Sequence, residues 1–138
     1  MATIVVGYDD SSGSKAALKV AAELASQLGD TLVIGYGYGP PGSVGEEFKQ
    51  HRDALIEMGR KMTDEAKAEA GQAGVDAQVE LVEEHGVNAL LSLAERHDTR
   101  FIVVGTYGES LLKGVILGST PHKLVHLSPV PVVVVPAA

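Results

Sequence analysis

The chain contains no cysteine, which excludes disulfides, thiolate metal sites and cysteine nucleophiles. It also lacks a basic run: 11 Lys and Arg stand against 18 Asp and Glu, for a formal net charge of -7. A surface of that sign argues against nucleic acid or an anionic membrane as the main partner, so any anion site has to be built locally. No apolar stretch approaches the roughly 20 residues of a membrane-spanning helix. Residues 1–6 run straight into structure, without the charged region and apolar core of an export leader, and the expectation is a cytoplasmic protein. There is no internal repeat, low-complexity segment or linker. What is present is 138 residues, 45% hydrophobic and 21% charged, which suits a single globular domain over residues 1–138 with a sizeable core.

Apolar runs alternate with helical stripes, the pattern of an α/β sheet with parallel strands. Residues 3–8 are apolar in succession, which marks a strand buried on both faces. Cap-type Ser11 and Ser12 follow. Ala16, Ala17, Val20, Ala21, Leu24, Ala25 and Leu28 then recur at helical spacing until Gly29. A second strand covers residues 31–37 and gives way to Tyr38-Gly39-Pro40-Pro41-Gly42-Ser43, a loop. Phe48, Leu55, Met58, Met62, Ala66 and Ala70 form one stripe of a long helix, whose methionines are read as core packing. Residues 77–82 read as a strand nearer an edge, with Glu83-Glu84 as a solvated junction, and residues 87–94 as a third helix. Phe101-Ile102-Val103-Val104 is the fourth strand, residues 119–127 the last helix, and Val130-Pro131-Val132-Val133-Val134-Val135-Pro136 the fifth strand. Proline cannot donate to a ladder, so this strand belongs at a sheet edge, and its unguarded valines invite a second copy of the chain.

Right-handed crossovers arrange five such strands as an open parallel sheet, order 3-2-1-4-5, with helices on both faces, a Rossmann-like fold. Ligands of open sheets bind outside the carboxyl ends of the strands where the order reverses. Here those ends are Gly7-Tyr8-Asp9 and Val104-Gly105. The second of them opens Gly105-Thr106-Tyr107-Gly108, followed after nine residues by Gly118-Ser119. Glycines let backbone approach a ligand closely, and the amides and dipole of a helix start attract an anion. The stretch is not a Walker loop, because Ser119-Thr120-Pro121 replaces the required lysine pair, and it does not have the G-x-G-x-x-G dinucleotide spacing.

These residues resemble the ATP-binding members of the universal stress protein family, which carry Gly-x-x-Gly, nine residues, then Gly-Ser or Gly-Thr. Gly105, Gly108, Gly118 and Ser119 fit that spacing, and Ile4-Val5-Val6-Gly7-Tyr8-Asp9-Asp10-Ser11 and the closing valine run fit both termini. The resemblance spans essentially the whole chain. It implies the adenine nucleotide alpha hydrolase-like fold and a bound ATP, ADP or AMP, with magnesium. The nucleotide would lie along Gly7, Tyr8, Asp9, Gly37, Val104, Gly105, Gly108, Gly118, Ser119 and Thr120. Backbone near Asp9 and Gly37 would face adenine, Gly105 and Gly108 the ribose and first phosphates, and Gly118, Ser119 and Thr120 the terminal phosphates. Asp9 would contact sugar or base, or hold magnesium between phosphates. A homodimer through the C-terminal edge strand, Val130 to Val135, completes the implied picture.

Two positions depart from the family pattern. Pro121 removes a hydroxyl and an N–H from the cradle, although a proline in a first helical turn costs the helix nothing. Gly37 replaces a larger aliphatic residue at the adenine wall, loosening it unless Tyr36 or Tyr38 fills the space. Bland readings stand beside the functional ones: Asp9 as a cap of the first helix, Ser11 as a cap, Gly114 as a turn and Lys113 as an exposed side chain. His122 and His126 lie four apart, but without the glutamate of the zinc-protease motif or a third ligand they are read as surface residues. His51, His85 and His97 are isolated. No arginine follows Arg100 and no general base but Asp9 adjoins the cradle, so binding with at most slow hydrolysis is expected of a stress-response sensor. The alternative is a homodimeric interaction module of the same fold that binds no nucleotide. A phosphorelay acceptor is disfavoured because the fourth strand ends in glycine rather than a lysine partner.

Overall fold

Ile4, Val5 and Val6 are each 0% exposed, as an unbroken apolar run requires when both faces of its strand are covered. They form β1 (Thr3–Gly7), the middle strand in the computed structural model, which describes residues 2–39, 46–106 and 118–137. The other elements are α1 (Ser12–Leu28), β2 (Thr31–Gly37), α2 (Glu46–Gln72), β3 (Ala77–Val82), α3 (Val87–Arg96), β4 (Thr99–Gly105), α4 (Ser119–Leu127) and β5 (Val132–Val135). All four strand pairs are parallel and the order is β3-β2-β1-β4-β5. That is the order expected from the crossover rule. Among the described residues no helix is long and apolar enough to cross a membrane.

Side chains alternate across the sheet with period two. Ile4, Val6, Leu32, Ile34 and Val103 point to the face covered by α1 and α2. Val5, Val33, Ile102 and Val104 point to the face covered by α3 and α4. Helix α1 starts at N-cap Ser11, whose hydroxyl accepts from the Ser14 amide, and stops at Gly29 with φ 71°, a left-handed conformation that glycine adopts without strain. Helix α2 corrects one expectation. Met62 is buried but Met58 is 54% exposed, because the ring of Tyr36 lies over Gly59 and centres the buried face on Gly59, Met62, Thr63, Ala66 and Ala70.

The amino ends of the strands are tied by a buried carboxylate. Asp30 accepts from Arg100 Nε at 2.5 Å and Nη2 at 3.1 Å, and from the Ala2 amide at 3.3 Å. The guanidinium holds the Asp30 carboxyl below the usual carboxylate range. Strand β5, bracketed by Pro131 and Pro136, is the edge beside β4. Val132, Val133 and Val134 are half-buried there, and Val125 and Leu127 of α4 are exposed.

Candidate functional site

The strand order reverses between β1 and β4, and the carboxyl ends of those strands are where an open sheet takes its ligand. The turn after β1 is closed on itself. Asp9 Oδ1 accepts from the Ser11 amide at 3.0 Å and the Ser11 hydroxyl at 2.5 Å, while the Asp9 amide donates to Ser14 Oγ at 3.2 Å. Ser14 in turn donates its hydroxyl to the Ser11 carbonyl at 3.0 Å. A carboxylate held at a helix start also complements the helix dipole. Ser11 is the N-cap as expected, and Asp9 braces that cap residue rather than capping the helix amides itself. Asp10 follows with φ 67°, a left-handed conformation that aspartate tolerates better than most residues. It lies 3.6 Å from Lys15 Nζ.

Tyr8 contributes backbone alone to this end of the sheet. Its side chain is 6% exposed in the cluster under α1 and α2, and its hydroxyl donates to Asp10 Oδ1 at 3.2 Å. Burial, then the charge and hydrogen bond of Asp10, then Glu69 and Glu65, push the phenol up to about 12. The Tyr8 amide donates to the Gly35 carbonyl at 2.9 Å.

Gly105 is glycine for a reason internal to the fold. A Cβ there would meet Gly13 C and O at 2.6 Å and Gly13 Cα at 2.9 Å, so β4 and the first turn of α1 touch backbone to backbone. Val104, one residue earlier, is buried against α3 and α4. Gly37 has the same kind of constraint, since a Cβ would stand 2.6 Å from the Glu84 carbonyl oxygen and 2.8 Å from Ala89 Cβ. The space beside Gly37 is therefore occupied by the β3–α3 junction. Glu83 is exposed there, as expected of a solvated junction, but both glutamates have partners: Glu84 accepts from Ser92 Oγ at 2.5 Å and from the Gly39 amide through its carbonyl at 3.1 Å, and Glu83 lies 2.9 Å from Arg52 Nε.

The start of α4 is tethered to the end of β4. The Thr106 amide donates to the Val135 carbonyl at 3.0 Å, and the Gly118 amide to the Thr106 carbonyl at 2.6 Å. Gly118 is the N-cap of α4, with no side-chain cap, and its carbonyl accepts from the His122 amide at 3.1 Å. Ser119 is exposed and Thr120 half-buried, with Thr120 Oγ1 3.5 Å from where a Cβ on Gly86 would lie. Pro121 is buried. Gly108, together with Tyr107, Lys113, Gly114 and residues 40–45, lies outside the described residues.

Two helix starts thus flank the crevice with different electrostatics. That of α1 already has the Asp9 carboxylate, whereas at that of α4 Gly118 has no side-chain cap among the described residues, and the Ser119 and Thr120 amides and hydroxyls follow it. A helix start without a capping side chain favours an anion. Asp9 Oδ1 is engaged by Ser11, so a magnesium ion at this position would draw on the other carboxylate oxygen and on the nucleotide's own phosphates. Sequence reasoning missed Gly13, Glu84 and Ala89, which shape the crevice from behind. Only Gly13 left a signal, as a helix-breaking residue inside a helix start.

Comparison with known proteins gives a consistent answer. A family model described as the universal stress protein family matches residues 1–136. The universal stress protein in the QAH/OAS sulfhydrylase 3′ region of Thermus aquaticus is 33% identical over 135 residues, 96% of this chain and 97% of that protein. A solved protein of the same family from Burkholderia pseudomallei is 27% identical with a TM-score of 0.79, covering 99% of this chain and 96% of that one. A universal stress protein solved in complex with cAMP is 29% identical with a TM-score of 0.72, covering 99% and 98%.

Proposed function

The chain belongs to the universal stress protein family, and from that premise we propose that it is a single-domain adenine-nucleotide sensor of the stress response. The nucleotide lies across the carboxyl ends of β1 and β4. The observation that carries this reading is the α4 start: an N-terminus with no side-chain cap among the described residues, fixed to the end of β4 at the reversal of strand order by the 2.6 Å bond from the Gly118 amide to Thr106. Because the Gly118 amide is spent in that bond, the terminal phosphates fall to the amides and hydroxyls of Ser119 and Thr120. Gly7, Tyr8, Asp9, Gly37, Val104, Gly105 and Gly108 line the remainder through backbone atoms. The cAMP complex of a family member supports an adenylate as the ligand. The protein is read as a cytoplasmic homodimer through the β5 edge, with at most slow hydrolysis. Arg100 cannot supply transition-state charge, because it is paired with Asp30 at the opposite end of the sheet.

Thermal melting with ATP, ADP, AMP and cAMP, each with and without magnesium, tests the proposal. A ligand at a hundred times its Kd adds about 2.7 kcal/mol to stability. Ser119→Ala with Thr120→Ala should reduce the response to ATP more than the response to AMP. A protein whose melting is unmoved by every nucleotide would instead be the interaction module, a reading favoured by how many crevice groups are spent internally: Asp9 on Ser11, Gly105 on Gly13, Gly118 on Thr106.

A further inference from the structure

The geometry points to a zinc-chelating site on the outer surface of α4, formed by His122 and His126. The two side chains are exposed, one helical turn apart, and their ring centres lie 5.4 Å apart at an interplanar angle of 75°. Two imidazoles sharing one tetrahedral zinc, with Zn–N bonds near 2.0–2.1 Å, have ring centres about 5.2 Å apart. A separation of 5.4 Å is also usual for edge-to-face rings, so the two rings are near enough to share one ion once they rotate to aim a nitrogen at it. The same two nitrogens would also take other divalent first-row ions that suit imidazole, so zinc serves as the probe of the chelate. Spacing alone argued for ordinary surface histidines, since no third protein ligand is at hand. Two nitrogens nevertheless suffice for a chelate whose other positions are filled by water. The chain's charge of -7 favours a cation, although exposed Lys123 lies between the pair in sequence. His97 is engaged with Glu80 and is not a competing chelate.

The chelate joins two successive turns of the helix whose first turn carries Gly118, Ser119 and Thr120. Zinc therefore staples α4 and should slow its local opening. The inference does not rest on the nucleotide reading, and its test uses nucleotide-free protein.

Zinc sulfate is titrated calorimetrically into the full chain at neutral pH, with magnesium as the control ion, while the histidine ring resonances are followed by NMR. The expected result is one zinc per chain, concerted shifts of the His122 and His126 rings, no response to magnesium, and slower amide exchange over residues 123–127. His122→Ala and His126→Ala should each weaken binding at least tenfold, and the double variant no further, because one ring cannot chelate. Both positions are exposed, so the variants keep the fold. Zinc affinity unchanged in the double variant would overturn the proposal, because binding would then reside at His51, His85 or elsewhere. Absence of His122 and His126 shifts in millimolar zinc would overturn it equally.

Discussion

Replacing Gly105 by alanine tests whether this glycine serves the fold or only a ligand. The added methyl would lie 2.6 Å from Gly13 C and O, and backbone atoms cannot rotate away as the tip of a side chain can. Either β4 or the first turn of α1 must retreat until the contact reaches the ordinary range, and that turn carries the Ser11, Asp9 and Ser14 bonds. Overpacking of this kind costs about 1–3 kcal/mol, offset by about 0.5 kcal/mol from the stiffer unfolded chain. A net loss of about 1.5 kcal/mol, spread over the unfolding entropy of 138 residues, lowers Tm by about 5 °C. The measurement is thermal or urea unfolding of nucleotide-free protein. Gly71→Ala is the matched control, since nothing lies within 4 Å of a Cβ there, and in a helix it should raise stability by about 0.4–1 kcal/mol. If Gly105→Ala melted like the parent without nucleotide, the backbone contact with Gly13 would not exist as described, and the glycine would answer to a ligand alone.

Asp30→Asn should cost about 2–3 kcal/mol by urea unfolding, near the lower limit for a broken buried pair, because the freed Arg100 side chain is 43% exposed and can hydrate. Since the Asp30 carboxyl is lowered in the folded state, its contribution is fully present above the unfolded value near 3.9 and is lost as pH falls through the folded value. Acid unfolding of the Asn variant should accordingly be shallower below pH 4. The Tyr8 phenol is pushed up to about 12, so absorbance titration at alkaline pH should show a late component that is lost in Tyr8→Phe. Ser92→Ala removes the donor to Glu84, and unfolding should register a loss of about 1 kcal/mol. An unchanged midpoint would mean that the junction holds its shape without that bond.

Much of this protein is legible in one dimension, because hydrophobic periodicity reports which faces of each element are buried. Strand β2 (Thr31–Gly37), strand β3 (Ala77–Val82) and helix α4 (Ser119–Leu127) fall where alternation and helical spacing placed them, and the crossover rule alone ordered the sheet. The position of the crevice followed from that order. What the chain could not disclose is which partner each glycine and carboxylate meets. Met58 faces solvent because Tyr36 settles on Gly59, a contact between elements that no local pattern encodes. Gly37 is filled by the Glu84 carbonyl and Ala89, Gly105 by Gly13, and Asp9 is spent on Ser11. A glycine read from sequence announces only that a side chain is unwelcome; whether backbone or ligand excludes it is decided when distant segments pack.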